Sequence, residues 1–101
     1  MVTNELTDQL ALFFKDKPVK RAFLFGSAAR KESTPQSDLD ILVDLDYENG
    51  ADFFTFLDMQ EQLSVLVGVP VDLVSSNGLS EFIKPIIDEE KRLIYEKKLA
   101  F

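Results

Sequence analysis

The stretch that decides the reading of this chain runs Phe25-Gly26-Ser27-Ala28-Ala29-Arg30-Lys31-Glu32-Ser33-Thr34-Pro35-Gln36-Ser37-Asp38-Leu39-Asp40-Ile41-Leu42-Val43. A Gly-Ser pair is followed after ten residues by Asp-Leu-Asp, and each half adjoins a strand-like segment. Upstream, Val19 to Phe25 runs as a strand into Gly26; downstream, Leu39, Ile41, Val43 and Leu45 alternate with Asp38, Asp40, Leu42 and Asp44. Side chains two apart on a strand share a face, so Asp38 and Asp40 point one way and the aliphatic set the other. In an unconstrained chain of this length these four residues would meet at this offset on the order of once in a thousand sequences, so the context of two strand ends matters.

Two carboxylates this close repel, and neither is easily desolvated without a cation. Mg²⁺ is the natural one, an oxygen-seeking ion held by one or two carboxylates together with substrate phosphates. Asp72 is the candidate third ligand. It lies in Val69-Pro70-Val71-Asp72-Leu73-Val74, a short apolar run between Gly68 and Ser75-Ser76-Asn77-Gly78 that reads as a third strand. Asp8, Asp16, Asp44, Asp46, Asp52, Asp58 and Asp88 fall at helix surfaces, strand exits or caps and are set aside. Gly26 lets the backbone turn sharply and approach a ligand, while Ser27 offers a hydroxyl and an N–H to phosphate oxygens. One short turn on, Arg30 has a planar fork of donors suited to phosphate, with Lys31 as a possible assistant.

The chain has 101 residues, 46% of them hydrophobic, which predicts one domain over 1–101 with a single core. Neither a spanning helix nor a signal peptide is legible, so no membrane association and a cytoplasmic location are expected. With no Cys and no His, thiolate nucleophiles, imidazole bases and most zinc chemistry are excluded, and acid–base work falls to carboxylates. The net charge of −7, with eleven basic residues scattered among eighteen acids, argues against long DNA or RNA as substrate. A nucleoside triphosphate carrying Mg²⁺ is compatible, because the metal brings positive charge.

The remaining segments read as scaffold. Leu6, Leu10, Phe13 and Phe14 predict a first helix, capped by Thr3 or Asn4 and ended by Lys17-Pro18. Phe53, Phe56, Leu57, Leu63 and Val67 predict the longest helix, between an Asp52 cap and a Gly68 stop, lying over the apolar face of the sheet. Ser80 to Glu90 reads as a shorter helical segment in which Pro85 marks either a break or a first turn, followed by a candidate edge strand from Lys91 to Tyr95. The phenylalanines are expected mainly in the core, with Phe53 and Phe54 placed near the acidic site. The whole is an α/β (α+β) domain: a small mixed sheet of three to four strands with helices mainly on one face.

The Gly26-Ser27, Arg30 and Ser37-Asp38-Leu39-Asp40-Ile41 pattern resembles the minimal nucleotidyltransferases of the DNA polymerase beta-like superfamily, over most of the chain up to about Tyr95. The resemblance implies the nucleotidyltransferase fold, Asp38, Asp40 and Asp72 as catalytic residues holding two Mg²⁺ ions, Gly26, Ser27 and Arg30 as nucleotide-binding residues, and ATP as the source of a transferred AMP. Two positions depart from the commonest pattern: Ala28, where a basic residue is frequent, and Lys31, where Gly is frequent. The same resemblance implies an antitoxin that modifies a helical HEPN-type toxin, within a homo- or hetero-oligomer. Two other readings stay open: an antitoxin acting by contact alone, and a small-molecule transferase of the antibiotic-modifying kind.

Overall fold

In the computed structural model, which describes residues 4–26 and 38–97, each of the segments read as scaffold becomes a discrete element. Helix α1 spans Asn4–Phe14, strand β1 Val19–Phe25, strand β2 Leu39–Leu45, helix α2 Phe53–Val67, strand β3 Val71–Ser75, helix α3 Lys84–Glu90 and strand β4 Arg92–Glu96. Short 3₁₀ turns at Tyr47–Asn49 and Ser76–Gly78 follow β2 and β3. The four strands form one sheet in the order β3-β2-β1-β4. β1 is antiparallel to both β2 and β4, whereas β2 and β3 are parallel, because α2 carries the chain back before β3 begins. Among the described residues no helix is long and apolar enough to cross a membrane.

Local chemistry sets the ends of α2. The Asp52 carboxylate accepts the Thr55 N–H at 2.8 Å and the Thr55 hydroxyl accepts the Asp52 N–H at 2.8 Å, a reciprocal cap that typically contributes about 1 kcal/mol. At the other end Gly68 takes φ +76°, and its N–H closes on the Ser64 carbonyl. Pro85 falls in the first turn of α3, where its missing N–H costs no helical bond, so the helix starts at Lys84 and residues 81–83 form a turn before it. β3 opens at Val71, two residues later than the apolar run begins in sequence.

The sheet has two unlike faces. One packs Leu24, Ile41, Val43 and Leu73 against Leu10 and Phe14 of α1 and Met59 and Leu63 of α2. The other, which carries the acids, is not wholly polar: Leu42 is 2% exposed and packs with Phe23 and with Ile87 of α3. Helices therefore lie mainly, but not solely, on one face.

Three expectations need correction. Phe53 and Leu57 do not belong to the buried stripe of α2; they are 68% and 44% exposed, and the stripe runs Phe56, Met59, Leu63, Val67. Phe82, at 90% exposed, and Phe54, at 75%, also lie outside the core. Nor do Phe53 and Phe54 adjoin the acidic site. α2 starts where β2 ends, so its first turn lies at the opposite end of the sheet from Asp38 and Asp40.

Asp46, set aside as a strand exit, is the buried charge among the described residues, at 3% exposure. Its carboxylate accepts from Asn49 Nδ2 at 2.5 Å and from Lys97 Nζ at 3.3 Å, and its N–H donates to the Pro18 carbonyl at 2.8 Å. One carboxylate oxygen, Oδ1, has no hydrogen-bond partner among the described residues. The residue thus ties the ends of β2 and β4 to the start of β1. The Asn49 hydrogen bond, with support from Lys97, holds its carboxyl below the ordinary carboxylate value, although burial opposes this. A carboxyl lowered in the folded state stabilises fully above its unfolded value, roughly 3.9, and loses that contribution as pH falls through the lower folded value. Acidification below about pH 4 should therefore depress the melting temperature more steeply in the wild type than in Asp46→Asn. Parallel slopes in thermal melts from pH 7 to 3 would remove this role.

Candidate active site

On the acid-bearing face, strand register arranges side chains in three cross-strand rows. Phe25 pairs with Asp40, and Asp40 with Asp72; Phe23 pairs with Leu42, and Leu42 with Val74; Arg21 pairs with Asp44. The middle row is apolar and is capped by Ile87. At the far row Arg21 donates to Glu96 at 2.7 Å and to Asp44 at 3.4 Å, so Asp44 is engaged in an ion pair away from the site. The near row is different in kind. Asp40 and Asp72 are direct neighbours on parallel strands, and no cation from a described residue is recorded as an ion-pair partner of Asp72. Like charges opposite one another on neighbouring strands repel, and a bound cation would relieve that repulsion.

Asp40 is half-buried, while Asp72 and Asp38, the latter just before β2, are exposed. All three lie at the mouth of the sheet where β1 ends. There Gly26 takes φ +67°, in the left-handed region that side chains rarely adopt. A Cβ at this position would collide with the Asp40 carboxylate, so the glycine leaves room for that group. The backbone turn predicted after β1 and the second acid of the Asp-Leu-Asp motif, Asp40, are therefore close neighbours.

The structure brings Asp40, Asp72 and Gly26 together and puts Asp38 at the same strand end. It does not close the three acids into one chelate: among the described residues no group of three or more His, Cys, Asp or Glu is compact enough to hold a metal ion. The β2–β3 register fixes the backbones, and side-chain rotation would have to bring the oxygens inward. The donor set still suits a hard cation, since every candidate ligand is a carboxylate oxygen and the Asp40–Asp72 repulsion is what a divalent ion relieves. Ser27 and Arg30, with the departures at Ala28 and Lys31, lie outside the described residues. Asp46 is the charged residue whose importance the sequence did not disclose, because its burial depends on Lys97 and Asn49 meeting it in space.

Residues 8–99 match the family model described as Polymerase beta, Nucleotidyltransferase. The chain is 36% identical over 72 residues to protein adenylyltransferase MntA of Thermococcus cleftensis, covering 71% of each. Its fold superposes with a TM-score of 0.71 on a toxin–antitoxin crystal structure with AMP-PNP, at 20% identity and covering 95% of this chain and 76% of that one. It superposes at 0.68 on a complex of a tri-AMPylated Shewanella oneidensis HEPN toxin with its MNT antitoxin, at 17% identity and covering 90% and 70%. At such identities the structural likeness is one of fold. The chain belongs to the polymerase beta nucleotidyltransferase family. It is thus a nucleotidyltransferase by family.

Proposed function

We propose that this chain transfers AMP from ATP to a hydroxyl of a partner protein, as a protein adenylyltransferase acting as antitoxin to a HEPN-type toxin. The observation that carries the reading is the Asp40–Asp72 row beside the Gly26 bend. Support comes from the adenylyltransferase relative, the AMP-PNP-containing fold neighbour and the AMPylated toxin in another.

Asp38, Asp40 and Asp72 would hold two Mg²⁺ ions, which when bound neutralise phosphate charge and favour in-line attack. Gly26 and Ser27 orient the terminal phosphates, and Arg30 meets the triphosphate chain. The acceptor oxygen forms a bond to the α-phosphorus, the α–β bridging P–O bond breaks, and pyrophosphate leaves. Asp72, on the side of the attacking oxygen, takes the acceptor proton. With a net charge of −7, the protein does not attract a bare triphosphate, so the reading requires the metal-bound nucleotide.

Incubating the full chain with ATP labelled at the α-phosphate, Mg²⁺ and a HEPN-type protein should move label onto that protein, and chelation should stop the transfer. If the two proteins form a complex and neutralisation proceeds with no label transferred, the chemistry is wrong and contact alone is the function.

A further inference from the structure

Asp72 sits on an edge strand, so whatever anchors that strand also sets its distance from Asp40. Among the described residues β3 has β2 on one side only. Its pairing with β2 opens where Leu39 N–H donates to the Pro70 carbonyl at 3.0 Å. Pro70 has no N–H of its own, and the next donor along the strand, Val71 N–H, goes to the Ser64 hydroxyl of α2 at 3.1 Å. That hydroxyl donates its proton to the Gln60 carbonyl at 3.0 Å, which leaves its lone pairs for Val71. Ser64 therefore pins β3 one residue before Asp72, on the side away from β2. Helix propensity does not call for serine here; Ala would serve the helix better by several tenths of a kcal/mol.

We propose that Ser64 is a positioning residue for Asp72: its hydroxyl fixes where β3 starts against β2, and so holds the backbone of Asp72 beside Asp40 in the row proposed to take the ion. The inference rests on the metal reading of the acidic row. Hydrogen bonds that orient metal ligands commonly change metal affinity 10–100-fold when removed.

The test is Mn²⁺ binding to the full chain, read from the electron paramagnetic resonance signal of free Mn²⁺, in a double-mutant cycle with Asp72→Asn. Ser64→Thr keeps the hydroxyl, and Ser64→Val matches that threonine in volume with a methyl in place of the hydroxyl. We expect wild type and Ser64→Thr to bind alike and Ser64→Val to bind about 10-fold more weakly. In the Asp72→Asn background, Ser64→Val should have no further effect, whereas a general loosening of the fold would weaken binding in both backgrounds. Ser64→Ala, which removes the hydroxyl without adding bulk, is measured in parallel and decides the matter if the valine variant folds poorly. Equal affinities for Ser64→Val, Ser64→Ala and wild type, or the same loss with and without Asp72, overturn the positioning role and leave the proposed function standing. Absence of Mn²⁺ binding by the wild type overturns the metal reading, and this inference with it.

Discussion

Asp38→Asn with Asp40→Asn should abolish AMP transfer, lowering the rate by about 10³-fold or more, while leaving the fold intact. Metal-mediated charge stabilisation contributes several kcal/mol to a phosphoryl transfer, and each 1.4 kcal/mol is roughly a factor of ten. An amide is nearly the size of a carboxylate but carries no charge, so it loses the ion without leaving a cavity. Asp40 faces Asp72 across the β2–β3 pair, so neutralising it also removes a repulsion between the two carboxylates. Rate assays with labelled ATP and thermal melts on the same preparation check both parts. A variant that loses stability and activity together would mean that the acids serve the fold. If toxin neutralisation survived the double substitution, binding would be sufficient for function.

Gly26→Ala should be the most damaging single change outside the acids. The left-handed φ of +67° costs a non-glycine residue roughly 1–2 kcal/mol, before any contact is considered. The added methyl then meets the Asp40 carboxylate, which must turn away from the row it shares with Asp72. A displacement of about 1 Å at a reacting centre lowers rates on the order of 10²-fold, and we expect a loss of that size together with a lower melting temperature. The two contributions separate in an Asp40→Ala background: with the carboxylate gone, only the backbone part of the stability loss should remain. An undiminished loss there would show that the contact with Asp40 is immaterial.

Much of the fold could be read residue by residue. Val19–Phe25 and Leu39–Leu45 appear as the strands their alternation indicates, and α2 fills the interval between the Asp52 cap and the Gly68 stop. Caps and periodicity are local properties, so a linear sequence displays them directly. The exposure of Phe53, Phe54 and Phe82 was not legible, because an aromatic side chain is buried only where another element covers it. Asp46 failed for the same reason in reverse: the partners that justify its burial, Asn49 and Lys97, arrive from a 3₁₀ turn and from the end of β4.

The candidate site divides along the same line. The expectation that Asp38 and Asp40 share one face follows from the two-residue period of a strand, although β2 begins only at Leu39, and the glycine bend follows from the residue type. Its strand-like setting and the family resemblance point to Asp72 as the third acid; what makes it a neighbour of Asp40 is the parallel register of β2 and β3, which depends on α2 returning the chain by the right length.

By itself, then, the sequence determined which segments form helices and strands and which acids share a strand face, since these depend on spacings of two to four residues. Only the tertiary structure decided that Asp40 adjoins Asp72 and Gly26, that Asp44 is engaged by Arg21, and that Ser64 anchors the edge strand. These relations join residues far apart along the chain, and they arise when burial of the two apolar faces selects one register from the several that local patterning allows.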